Sequence, residues 1–136
     1  VLRFIEEHNL KHVRVVGFVS SQEELHRYIS RSRFVVVPSN WFEVFPLIAL
    51  DALSLGKPVV GARTGGIPEI IDDEKNGFLF ERLNADDLQK KINVLQNDAS
   101  LCIELGKNGR NKAEQEYTAE RHYSRMMEYY SSLIGG

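Results

Sequence analysis

Short β-branched apolar runs alternate along this chain with longer stretches in which apolar residues recur every three or four positions. That alternation predicts strands and amphipathic helices in turn. Val1 to Leu10 is expected to be an amphipathic helix, Val13 to Val19 a strand, and Ser21 to Ser30 a helix with Ser21 as N-cap and Glu24 completing a capping box. The run Arg33 to Ser39 reads as a strand that stops at Pro38. Pro46, with a fixed φ and no N–H to lose, suits the first turn of a helix through Leu47–Leu53, which Gly56 and Pro58 end. Pro58 to Ala62 is the next strand, and Asn76-Gly77 turns into a last short strand ending at Phe80. Three helices follow, Asp86 to Asn97, Leu101 to Glu116 and Ala119 to Leu133. The fold class is α/β, a Rossmann-like parallel sheet with helices on both faces, whose ligands bind at the carboxyl ends of the strands. No internal repeat or low-complexity linker interrupts it.

Composition narrows the function classes. With 136 residues, 43% hydrophobic content and a formal net charge of −2, residues 1–136 are expected to form one domain around a single core. The balance of 17 basic against 19 acidic residues, with no basic tract interleaved with aromatics, argues against nucleic acid as a partner. No signal peptide is recognisable, and no apolar run approaches the roughly 20 residues of a spanning helix. The single cysteine, Cys102, lies between Leu101 and Ile103 and reads as a packed thiol, which with the rest suggests a cytoplasmic protein. The four histidines share no metal-ligand spacing beyond the surface pair His8 and His12, so no metal is expected. Tyr117, Tyr123, Met126, Tyr130 and Leu133 recur at helical spacing and read as packing. Asp72-Asp73-Glu74, just before Lys75-Asn76-Gly77, reads as a solvated turn, and Arg63 as a solvated arginine.

The candidate chemistry lies between Asn40 and Ile71. A strand–loop–helix unit aims the helix dipole and free backbone N–H groups at what lies beyond the strand, which suits phosphate. Glu43, in that loop, would be repelled by a diphosphate and is better explained as an acceptor for sugar hydroxyls. Asp51, five residues after Pro46, lies roughly 7–8 Å along the helix from it. A ribose could donate its vicinal hydroxyls there. Flanked by Leu50 and Ala52, Asp51 would be costly to bury unpaired, which calls for a partner or ligand. Gly65-Gly66 reads equally well as a turn before a short helix with Glu69 in its first turn, or as part of the site.

The segment E-V-F-P-L-I-A-L-D-A-L-S-L-G-K-P-V-V-G-A-R-T-G-G-I-P-E-I-I, from Glu43 to Ile71, resembles the signature of retaining glycosyltransferases of the large GT-B family 4, the sucrose-phosphate-synthase and mannosyltransferase group. The resemblance implies a domain that binds a nucleotide-diphosphate sugar and supports sugar transfer to an acceptor with retention of configuration. It implies that Glu43 and Asp51 are that family's pair of acids with seven residues between them, the first at the sugar and catalytic, the second at the ribose. Asp51 is one methylene shorter than the family's glutamate. The loop of Phe45, Pro46, Leu47 and Ile48 would face the diphosphate through its amides, Pro46 having none. Gly17 and Phe18 would lie where backbone groups meet the base, and Gly65 and Gly66 beside the donor. The donor is a substrate and no cofactor or metal is required. The implied partners are the donor and an N-terminal GT-B domain that carries the acceptor, with cytoplasmic location and room for peripheral attachment at the inner membrane face.

Residues 1–136 resemble only the later part of the family's second domain, as though truncated at its start. The acceptor domain, and a basic pair that neutralises the diphosphate, have no counterpart in them. The expectation is therefore that this chain alone is inactive and binds nucleotides weakly, since a helix terminus offers about half an elementary charge. In a sheet ordered 3-2-1-4-5-6, Val13–Val19 and Phe34–Val37 would be separated by strands that this sequence does not supply. Unpaired valine-rich edges would then favour self-association. Two other classes remain open, a sugar-nucleotide epimerase of the same fold and a non-catalytic nucleotide-binding or assembly domain.

Overall fold

The computed structural model describes residues 1–134. Its centre is a parallel sheet of three strands, β1 (Val35–Val37), β2 (Val59–Ala62) and β3 (Gly77–Phe80), in the order β1-β2-β3. Val36 is paired with Val60, and Val60 with Phe78, so the three strands stand level at their carboxyl ends. β2 and β3 are buried at every position, as expected of parallel strands covered by helices. The helices, in chain order, are α1 (Leu2–Glu7), α2 (Gln22–Arg31), α3 (Leu47–Ser54), α4 (Ile67–Ile70), α5 (Ala85–Asn97), α6 (Ala99–Glu116) and α7 (Ala119–Ile134). This is the Rossmann-like α/β fold that the alternating pattern predicts.

Local chemistry explains where the helices begin. Ser21 accepts from the Glu24 N–H at 3.4 Å, Asn84 from Asp87 N–H at 3.0 Å and Asp98 from Leu101 N–H at 2.9 Å. Each side chain takes one of the amides that a helix start leaves without a partner. These caps place α5 and α6 one to two residues earlier than periodicity alone does. Pro46 is the N-cap of α3, at φ −74° and ψ 99°, and not a member of its first turn.

The core is built from Leu53, Val59, Val60, Ile67, Ile70, Ile71, Leu95 and Leu105, each at most 2% exposed. Glycines set how closely α6 approaches. A Cβ on Gly109 would fall 2.6 Å from Cδ2 of Leu53, and one on Gly106 would overlap the Gly56 carbonyl. α6 thereby lies against α3 and the turn after it. Cys102 is buried on the same helix, and its thiol donates to the Leu95 carbonyl at 3.2 Å. Burial pushes the thiol pKa up, reinforced by Asp98 and partly offset by Arg33. Since the thiolate is the reactive form, a disulfide reagent at pH 8 is expected to label native Cys102 at least about tenfold more slowly than it labels the urea-unfolded chain. Equal rates would show that the thiol is open to solvent.

Three expectations are corrected. Val13–Val19 forms no strand: a ladder needs a neighbour, none of the three strands pairs with it, and Val13, Val15 and Val16 are 41–48% exposed. Direct pairing with Phe34–Val37 therefore does not occur, and β1 keeps a free edge. The first helix covers only Leu2–Glu7 and buries no residue, because no element of the described chain lies against its apolar side. The third correction concerns α7, whose periodic apolar residues do not pack. None is buried, and Tyr123 and Leu133 are 65% and 63% exposed. No described helix is long and apolar enough to cross a membrane.

Candidate functional site

Glu43 lies in the loop that carries the chain from the end of β1 to α3. Four contacts hold that loop. Arg82 donates from Nη1 to the Asn40 carbonyl at 2.7 Å, and Gly66 N–H donates to the Glu43 carbonyl at 2.7 Å. The Phe45 ring packs against Tyr117 with centroids 5.7 Å apart. Fourth, Gly65 and Gly66 lie directly on the backbone of residues 43–44, so closely that a Cβ on either would overlap the Glu43 or Val44 carbonyl. Gly65 also has φ +54°, which a side chain disfavours. The reading of this glycine pair as a turn before a short helix is realised, since it opens α4, and the pair also forms the bed on which the Glu43 loop rests.

The Glu43 side chain is half-buried and bonded. Ser39 Oγ donates to its Oε1 at 2.9 Å and Trp41 Nε1 donates to the same oxygen at 3.1 Å. Just beyond, α3 starts without a side-chain cap. The first-turn amides, among them those of Leu47 and Ile48, have no intrahelical acceptor. Asp51 follows one turn later on α3, its side chain 24% exposed. Its neighbour is His26 of α2, whose Nε2 lies 3.4 Å from Oδ1 without the angle of a hydrogen bond and is closed off from solvent. Asp51 thus has an imidazole beside it but no hydrogen bond from it. Leu50 N-terminal to it is only partly buried, while Ala52 is in the core.

Arg63 stays at the surface as expected, its side chain 45% exposed, but it is not without partners. It pairs with Asp73 at 2.9 Å and Glu81 at 3.1 Å, so its charge is already balanced. The acidic turn is correspondingly structural: Asp73 accepts from the Leu79 N–H at 2.9 Å and Asp72 pairs with Lys112 at 3.0 Å. The turn stays exposed at Asp72 and Glu74 and also ties β3 to α6. Gly17 has φ +78° with open space where a Cβ would project, and Phe18 is 94% exposed. Among the described residues neither hydrogen-bonds to the Glu43 loop or to α3. The structure thus brings Glu43, the Phe45–Ile48 loop, Asp51 and Gly65-Gly66 around one helix entry, and leaves Gly17 and Phe18 apart from its hydrogen-bonding network. Ser39, Trp41 and His26 belong to this neighbourhood and were not anticipated. The first two stand four and two residues before Glu43, a spacing that places their donors within reach in a compact loop. His26 carries no local signal, since it reaches Asp51 from another helix.

A cavity of about 580 Å³ opens between Phe45, Leu50, Glu69, Tyr117, His122 and Arg125. Tyr117 in its wall donates to the Glu69 carbonyl at 3.0 Å; burial, with Glu116 and other nearby acids, raises its phenol pKa and keeps it a donor. Neither Glu43 nor Asp51 lines this cavity. Glu43 is half-buried beside Ser39 and Trp41, and Asp51 beside His26; the candidate chemistry rests on these carboxylates and not on the cavity.

Comparison with known proteins places the chain in a family. An uncharacterized glycosyltransferase of Methanocaldococcus jannaschii is 37% identical over 107 residues, covering 79% of this chain and 30% of that protein. Sucrose-phosphate synthase from Thermosynechococcus elongatus superposes with a TM-score of 0.86 at 30% identity, over 98% of this chain and 33% of the other. Anabaena HepE, solved with UDP, superposes with a TM-score of 0.85 at 26% identity, over 96% and 35%; it has also been solved with UDP-glucose. The chain thus spans about a third of the length of these relatives. The sequence profile of the family described as glycosyl transferases group 1 matches residues 2–112, and with the GT-B fold of these neighbours it makes this chain a C-terminal glycosyltransferase domain of that family.

Proposed function

We propose that this domain binds the nucleotide-diphosphate sugar donor of a retaining hexosyltransferase, and that the acceptor is brought by an N-terminal GT-B domain. The observation that carries the reading is the grouping of Glu43, the uncapped start of α3 and Asp51 around one helix entry at the carboxyl end of β1. A donor laid across that entry meets, in turn, a sugar-binding carboxylate, free amides for the diphosphate and a second carboxylate for the ribose. The amides of Phe45, Leu47 and Ile48 stabilise the departing diphosphate as charge builds on it, because they are already oriented and cost no reorganisation. Gly65 and Gly66 hold the loop beside the donor, and Gly17 and Phe18 lie towards the base. The UDP and UDP-glucose complexes of HepE support a nucleotide sugar as the ligand class. No step in this scheme routes through a metal or cofactor, and the cytoplasm, where nucleotide sugars are made, suits the reaction.

Arg63 is engaged by two acids, so its charge is not free for the diphosphate. The isolated chain is expected to be inactive and to bind nucleoside diphosphates in the high micromolar range or weaker. The test of the reading uses the complete enzyme. Asp51→Ala is expected to weaken nucleoside-diphosphate binding by about 1–3 kcal/mol in calorimetry, the worth of a charge-assisted pair of hydrogen bonds. Unchanged affinity would remove the ribose from Asp51 and leave His26 as its only reason for being there.

A further inference from the structure

Glu43 is the only carboxylate in the loop between β1 and α3, and it is not free to turn. Both of its side-chain donors, Ser39 Oγ at 2.9 Å and Trp41 Nε1 at 3.1 Å, reach Oε1. Oε2 receives no hydrogen bond among the described residues. The terminal torsion of a glutamate is broad and twofold, so an unrestrained carboxylate samples both oxygens at any given position. Two donors on one oxygen remove that freedom and leave the other oxygen, with its acceptor sites, open. The backbone beneath is fixed as well, since Gly66 N–H holds the Glu43 carbonyl at 2.7 Å.

Trp41 is the chain's single tryptophan and is 73% exposed. A ring that large in solvent contributes little to the core. Its polar atom, however, is spent on Glu43. We propose that Trp41 and Ser39 form a clamp that presents Oε2 of Glu43 to the donor sugar, which makes Trp41 a positioning residue for transfer. This rests on the reading of Glu43 as the sugar-binding carboxylate. The clamp's benefit is orientational: it removes a search by the carboxylate at the moment the sugar arrives, and misplacement of such a group is costly to rate.

The clamp has a signature that does not depend on activity. Because there is one tryptophan, the nitrogen-15-labelled chain gives one indole N–H resonance, and Glu43→Gln is expected to move it upfield by removing a charged acceptor. An indole resonance unmoved by Glu43→Gln would overturn the clamp. In the complete enzyme, Trp41→Phe and Ser39→Ala are each expected to lower kcat about 3–10-fold, and the double variant about 30-fold or more, for loss of charge-assisted hydrogen bonds. Affinity for the nucleoside diphosphate and the melting temperature should stay near wild type, and Ser39→Thr, which keeps the hydroxyl, should restore the rate. If Glu43→Gln is crippled while the double variant runs at the wild-type rate, the clamp is wrong and the role of Glu43 stands. Full activity of Glu43→Gln would overturn that role and the clamp's purpose with it.

Discussion

Glu43→Gln in the complete enzyme is expected to lower kcat/KM about a hundredfold, in the range found when one preorganised electrostatic contact to a transition state is removed. Nucleoside-diphosphate affinity should hardly change. The separation follows from position: Glu43 precedes the helix entry, on the far side of the free amides from Asp51, and a carboxylate so placed is repelled by phosphate but accepts from sugar hydroxyls. Glutamine keeps the shape of the side chain and Oε1 can still accept from Ser39 and Trp41. What it loses is the charge. Steady-state kinetics with the donor varied, together with calorimetry of the nucleoside diphosphate, separate the two quantities. An equal loss in both would place Glu43 at the nucleotide and exclude its assignment to the sugar.

The second large effect is structural and ends at the same residue. Gly65→Ala is expected to destabilise the chain by about 3 kcal/mol or more, combining the cost of a left-handed conformation with that of overpacking. The new Cβ would overlap the Glu43 carbonyl and lie 2.8 Å from its backbone nitrogen. Backbone cannot swing aside as a flexible side chain can. Either Gly65 leaves its φ of +54° or the Glu43 loop lifts off the glycine pair, breaking the bond from Gly66 N–H. A thermal melt should show a fall of roughly 10 °C for such a loss in a domain of this size. Gly65→Asn tolerates the positive φ but not the overlap, so it should be nearly as damaging. A wild-type melt for both variants would mean that the close approach of the two loops is not a feature of the folded chain.

Much of this architecture is legible in local sequence because its causes are local. Val35–Val37 and Val59–Ala62 are strands because short β-branched runs between turn signals have few other uses. Ser21 caps α2 because the hydroxyl reaches an amide three residues on. The positions of Glu43 and Asp51 at either end of a helix entry follow from eight residues of spacing and the rise of a helix. Val13–Val19 has the same valine-rich appearance as β1, yet it forms no strand, since strand character belongs to a pair of segments and its partner must be delivered by the fold. The same holds for α7, whose apolar period is plain but whose burial requires a surface to lie against.

What the sequence by itself determined is the family and the order of elements from Ser21 onward, both carried by residues within a few tens of positions of one another. The tertiary structure alone decided what each charged group faces. Arg63 meets Asp73 and Glu81, Asp51 meets His26, and Lys112 meets Asp72 across separations that no local pattern encodes. The close bed that Gly65 and Gly66 make for the Glu43 backbone is of the same kind. The physical reason is range: propensity, capping and periodicity act over one or two turns of chain, whereas a charge or a bare glycine acquires its role only when packing brings a distant segment to within van der Waals distance.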